Sequence, residues 1–240
     1  MAAIATLVFW RSLPPSRRFR PRPFALRPLL GSLFGHVADR GLPWLFLIGF
    51  LLMGSFVAVY NYSGFRLLAP PFSLSQAAAG AIFAVYLIGI VASTWVGALA
   101  GRLGQRRLLW ATVLLMLAGL ALTLSDRLAL VVAGIALFTF GFFGGHSIAS
   151  AWVGRRAQQA RAQASALYLF SYYVGSSVAG SLGGLFWQRA GWPGVAVMVG
   201  SLLIAAFAVA LRLTRLPPLA SDPRQLISRT VRPKKRSSKQ

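Results

Sequence analysis

Cysteine is absent from this 240-residue chain, and only three of its side chains are acidic. Without cysteine there are no disulfides, no thiolate metal sites and no thioether-linked haem. With so few acids, a water-soluble domain of this size cannot build the mixed-sign charged surface that keeps it dissolved. The acids are Asp39, Asp126 and Asp222, and all three fall outside the long apolar stretches. The carboxylate proton relay common in coupled pumps is therefore missing from the apolar interior. A Walker A sequence, metal-ligand spacing and a nucleophile elbow are missing too, so hydrolytic chemistry has no residues to stand on. The chain reads as no enzyme, with no metal site and no cofactor.

What is present is apolar: 57% of the residues. Six stretches carry no Asp, Glu, Lys or Arg, namely 41–65, 67–101, 108–125, 128–154, 162–188 and 190–211. Each supplies the roughly 20 apolar residues that a helix needs to cross a hydrocarbon layer about 30 Å thick. Water is absent at that depth, so the backbone must satisfy its own hydrogen bonds, and a helix does so alone. Barrel strands would alternate in polarity over about ten residues, which these stretches do not. The expected fold is an all-α polytopic membrane protein, a bundle of six transmembrane helices.

The net charge of +22 is distributed unevenly. Alternate connections receive only Arg66, Arg127 and Arg189, while every other Lys and Arg falls before the first span, after the even-numbered spans or in the tail. This is the positive-inside pattern, and it predicts both termini in the cytoplasm. Anionic lipid headgroups are the natural partners of such charge. Nucleic acid is not an expected partner, because no recognition motif accompanies the basic residues.

Along the chain, residues 1–10 are apolar but too short to span, and they read as the stub of a preceding helix; no signal-peptide pattern surrounds them. Residues 11–40 are rich in Arg and Pro and read as a cytoplasmic linker, with an amphipathic piece near Leu29 to Val37 at the interface. The bundle is expected over 41–214 and a basic cytoplasmic tail over 215–240. Tyr60-Asn61-Tyr62 should end the first span at the headgroup belt. Ser73 with Gln76 reads as a capping box opening the second. Ser125-Asp126 reads as a cap for the fourth, about 127–150, which should close in the glycine-rich run Gly141, Gly144 and Gly145 before His146. Gly191 and Pro193 mark a tight turn between the fifth and sixth.

Few polar groups sit inside the spans. His146 is the one ionisable side chain expected well within a span, and such a group is a candidate for substrate contact or proton coupling. The alternative is a neutral histidine bonded across a close helix contact at Gly141 and Gly145. Tyr168 and Tyr172, four apart, share a face of the fifth span. With Asn61 and His146 they line a candidate substrate cavity, or else they bridge helices. The loop from Gly97 through Arg102, Gly104, Arg106 and Arg107 reads either as a glycine-bearing turn or as a gating loop. Gly180 and Gly184 form a small-residue packing pair.

On these residues the chain resembles the second half, helices seven to twelve, of a bacterial major facilitator superfamily permease. It is most similar to the drug or sugar efflux branch often labelled arabinose-efflux-like. The segment Gly97 to Arg107 resembles that family's G-x-x-x-D-R-x-G-R-R gating loop, with Gly101 where the family usually has Asp. Phe142 to Arg156, FFGGHSIASAWVGRR, and the run PPSRRFRPRP at 14–23 resemble the efflux branch. The resemblance implies transport of a small organic solute or drug, with protons as the coupling ion, in a bacterial inner membrane. It further implies two six-helix bundles rocking about a central site, hence a missing first half or a homodimer partner. The readings set against it are a non-transporting membrane scaffold or assembly protein, or an inactive truncated permease fragment.

Overall fold

The computed structural model describes residues 2–12 and 26–216. The run 14–23, with residues 13, 24 and 25 beside it, and the tail from 217 onward lie outside them. The chain divides into two compact units, Met1–Gly31 and Ser32–Gln240. Helix α1, Ala2–Ser12, belongs to the first. Its 11 residues rise about 16 Å, half of what a membrane crossing takes. Helix α2, Leu26–Val37, carries the amphipathic piece and begins three residues before the expected start. Pro28 fits there because the first turn of a helix needs no N–H from it.

The bundle opens with α3, Leu42–Leu68. It runs past Tyr60-Asn61-Tyr62, where the sequence suggested an end, because no residue there opposes helix. The stop comes at Ala69, held extended (φ −91°, ψ 163°) ahead of Pro70, as the residue before a proline must be. The second crossing, Gln76–Leu103, comprises α4 (Gln76–Ile82), a 3₁₀ stretch (Phe83–Leu87) and α5 (Ile88–Leu103). Its cap is Ser75, whose Oγ accepts from Ala78 N–H at 3.2 Å, not Ser73. Ser73 takes a left-handed φ of 46°, which an N-cap residue does not adopt.

Gly104, at φ +92°, turns the chain into α6, Gln105–Leu122. Helix α7 spans Leu128–Arg156. Ser125 Oγ accepts from Arg127 N–H at 3.1 Å, whereas Asp126 lies beside Arg66, 3.9 Å from Nη2. The glycine run does not end α7. Its glycines are contact points instead: an added methyl at Gly141 would come within 2.7 Å of Thr112 O, and one at Gly145 within 2.9 Å of Thr112 Oγ1. The helix stops only at Ala157.

Helix α8, Arg161–Thr214, is 54 residues long and broken at Ala190 and Gly191. Gly191 (φ 57°, ψ −143°) occupies backbone space that side chains avoid, and Pro193 follows in the first turn of the second leg. The two legs run antiparallel. Gln163 beside Ser32 and Thr214 beside Arg106 place both ends of α8 at one end of the bundle. Trp192 beside Arg66 places the break at the other. Five helices of the described residues are long and apolar enough to cross a membrane, and the fifth crosses twice. The protein is thus an all-α polytopic membrane protein with six crossings.

In lipid, helices associate through close packing at small residues rather than through the hydrophobic effect. Helix α3 packs along α8, where Gly175 lies directly against the Phe50 carbonyl and Gly183 against the Tyr62 ring. The expected pair Gly180 and Gly184 sits beside these, with added methyls meeting Val57 at 3.4 Å and the Tyr62 hydroxyl at 3.3 Å. Gly119 does the same work between α6 and α7, where a methyl would come within 2.6 Å of Phe138 N.

Candidate functional site

The polar residues of the interior converge from α7 and the first leg of α8. His146 Nδ1 lies 3.0 Å from the Tyr168 hydroxyl, within a hydrogen bond. Either partner can donate: a bare Nδ1 accepts from the phenol, and a protonated Nδ1 donates to it. The pair therefore persists whether or not the imidazole carries a proton. The Tyr172 ring lies 4.9 Å from the imidazole, centre to centre. The four-residue spacing of Tyr168 and Tyr172 puts both on the helix face toward α7. His146 and Tyr172 are half-buried.

Tyr168 is 2% exposed, and its ring fills the space that Gly49 of α3 leaves without a side chain. It joins three helices and does not line open space. Asn61, grouped with it on sequence grounds, is exposed at the far end of α3. Its amide nitrogen neighbours Gly180, and no contact joins it to His146 or either tyrosine.

The structure adds aromatic residues that sequence reasoning passed over. Phe142, one turn before His146 on α7, stacks on Phe56 of α3 with centroids 3.9 Å apart. Phe56 in turn lies 4.4 Å from Tyr60, and the Tyr60 and Thr139 hydroxyls share a 2.7 Å hydrogen bond. Tyr86, on the 3₁₀ stretch, meets Phe143 edge-on at 5.0 Å. Phe56–Tyr60 and Phe142–His146 are pairs four residues apart, legible as helix faces; their pairing across helices is not. The result is one seam of rings and hydroxyls, running from Tyr60 to Tyr172 between α3, α7 and α8.

The loop residues lie at the arginine-rich end. Gly97 is on α5, where an added methyl would come within 3.3 Å of Ser147 Oγ. Arg102 and Arg107 are exposed. Arg106 donates through Nη1 to the Thr214 carbonyl at 3.2 Å, joining α6 to the end of α8. The carboxylate at this end serves a different arginine. Asp39 Oδ1 accepts from Arg156 Nε at 2.5 Å, and Oδ2 accepts from Arg156 Nη2 at 3.1 Å. Asp39 Oδ1 also accepts the Gly41 and Leu42 N–H groups at 2.8 and 2.7 Å, capping α3. Burial pushes the Asp39 carboxyl up, but the bonds from Arg156, Leu42 and Gly41 outweigh it, and the net pKa lies below the ordinary 3.8. One aspartate thus fastens the start of α3 to the end of α7. No sequence motif announces this, because the residues are 117 apart.

Among the described residues, no three His, Cys, Asp or Glu side chains gather as metal ligands would. The seam's means are a titratable imidazole, phenols and aromatic faces.

Residues 51–238 match the sequence model of the Major Facilitator Superfamily. The chain is 50% identical over 206 residues to an uncharacterised MFS-type transporter of Bacillus subtilis, YybF, covering 86% of this chain and 51% of the relative. It is 47% identical over 214 residues to the inner membrane transport protein YnfM of Escherichia coli, covering 89% and 51%. The chain spans about half the length of the curated relatives it matches. Its fold is similar to that of the POT family transporter PepTSo, with a TM-score of 0.64 at 20% identity over 83% of this chain and 44% of that one.

Proposed function

The chain belongs to the Major Facilitator Superfamily, a family of transporters rather than enzymes, and from that premise we propose that it forms one half of a secondary transporter for a small organic solute or drug. In this reading the solute leaves the cell in exchange for protons. The arginine-rich end faces the cytoplasm of a bacterial inner membrane, and a second six-helix bundle, a separate first half or another copy of the chain, completes the pathway. The observation that carries the reading is the seam around His146. A half-buried titratable ring bonded to a tyrosine, inside a span without carboxylates, is costly to keep in lipid and for that reason is a candidate for function. The proposed roles are proton coupling for His146, and solute contact for Tyr172 and the His146 ring, with Asn61 near the outer mouth. Tyr168 orients the imidazole. The Gly97–Arg107 loop, through Arg102, Gly104, Arg106 and Arg107, switches the cytoplasmic end.

The test is transport in proteoliposomes holding the chain alone or beside a partner half. His146→Gln keeps a polar group but cannot carry the proton. Driven efflux should vanish, while exchange of solute down its own gradient continues. Driven efflux at the unmutated rate would overturn the coupling role.

A second reading, a non-transporting scaffold or assembly bundle, draws on the burial of Tyr168 against Gly49. It predicts no solute movement with any partner half. It also predicts that His146→Gln lowers thermal stability without any other phenotype.

A further inference from the structure

At the end of the bundle away from most of its arginines, a cavity of about 270 Å³ opens between the end of α3, the α6–α7 turn and the break in α8. Arg66, Asp126, Trp187, Trp192, Pro70 and Pro71 are among its walls. Small-molecule sites begin at about this size. The cavity is separate from the His146 seam.

Its chemistry is lopsided. Arg66 is 8% exposed, and its hydrogen bonds go to the carbonyls of Thr123 and Ser125, the latter at 2.8 Å. Those carbonyls take two of the five N–H groups a guanidinium offers, and neither carries a full negative charge. The carboxylate nearby, on Asp126, stands 3.9 Å from Nη2 with a side chain 85% exposed. That is too long for a hydrogen bond, and water screens a charge so exposed. The guanidinium also lies 5.4 Å over the Trp192 ring. Trp192 itself is 5% exposed, and its indole N–H is buried with no acceptor. A buried donor without a partner is rare and asks for an explanation. The cavity therefore presents a poorly neutralised cation among apolar rings.

We propose that this cavity binds an organic anion, its carboxylate or phosphate on Arg66 and its apolar body against Trp187 and Trp192. A planar guanidinium favours an acid group that accepts two parallel bonds. An organic cation does not suit the site, since Arg66 already occupies the cationic position over Trp192. A neutral ring gains the walls but leaves Arg66 as it is. Asp126, already in water at the mouth, opposes the ligand as a like charge near Arg66. Such binding does not require transport, and a titration alone tests it.

The full chain, purified in a zwitterionic detergent, is titrated with benzoate, benzyl alcohol and benzylammonium by isothermal calorimetry. Benzoate should bind roughly tenfold more tightly than either of the others, a difference of about 1.4 kcal/mol. Asp126→Asn should tighten benzoate roughly threefold by removing that like charge, and Trp187→Leu should weaken it by a similar factor. Arg66→Lys, which keeps the charge and loses the fork, should weaken it roughly tenfold. Should Arg66→Lys fail to fold, Asp126→Asn and Trp187→Leu decide the matter, since the Asp126 side chain is 85% exposed and Trp187 is only half-buried. Equal binding of benzoate and benzyl alcohol, or benzoate binding unmoved by both Asp126→Asn and Trp187→Leu, would overturn the proposal. Repeating the titration in nanodiscs with and without phosphatidylglycerol identifies the source of the acid group. A lipid headgroup competes with benzoate, and a free solute leaves its affinity unchanged.

Discussion

Asp39 shows how much a single carboxylate can organise in a chain with so few. It caps α3 through two backbone N–H groups and pairs with Arg156, whose side chain is 9% exposed. Folding lowers its pKa below the ordinary 3.8, so the folded state binds the proton less readily than the unfolded chain. The stabilisation is complete above the unfolded value and fades as pH falls through the lowered folded one. Asp39→Asn should cost about 2 kcal/mol near pH 7, between the values for exposed and fully buried pairs. The gap between wild type and variant should close below about pH 3.8, the ordinary value it starts from. Thermal unfolding in detergent across that range measures it, and a gap independent of pH would refute the assignment. His146 poses the complementary case. Its place as the one histidine inside a span was legible, but its partner was not: Tyr168 lies on another helix, 22 residues away.

At the scale of elements, the helices follow from composition, and their contacts depend on where side chains are missing. Gly175 touches the Phe50 carbonyl so closely that no Cβ fits between them. Gly175→Leu must push α3 from the first leg of α8, and should cost several kcal/mol, about 3 by analogy with overpacked cores. Gly184→Ala, where a methyl meets only the Tyr62 hydroxyl at 3.3 Å, should cost about 1 kcal/mol or less. Comparing their unfolding temperatures separates the two. Sequence alone favoured Gly180 and Gly184 by their spacing. Spacing shows which residues share a face, but it is silent on which backbone comes close enough to exclude a methyl. The ends of elements divide in the same way. Ala69 before Pro70 stops α3 by sterics that are local and readable. The continuation of α7 through Gly141, Gly144 and Gly145 depends on α3, α5 and α6 packing around it.

At the scale of the whole molecule, orientation is the property that charge predicts most directly. The lack of cysteine supplies a background free of other thiols. Ser73→Cys, exposed between α3 and α4, should react with an impermeant maleimide added outside intact cells. Ser237→Cys, in the basic tail, should react only after the membrane is opened. The reverse pattern would invert the topology read from the arginines. The six crossings, the poverty in acids and the all-helical class were legible from composition, because lipid leaves the backbone no other choice.

The sequence by itself determined that the chain lives in a membrane and roughly where each crossing begins and ends. Those properties follow from transfer energies and local sterics, which depend on residues near one another in the chain. Only the tertiary structure decided that Tyr168 is sealed against Gly49, that Asn61 stands apart from His146, and that Asp39 serves Arg156. It alone drew Arg66 and Trp192 into one cavity. Each of these joins positions on different helices or on two legs of one, and the distance between them is set by how closely the backbones pack.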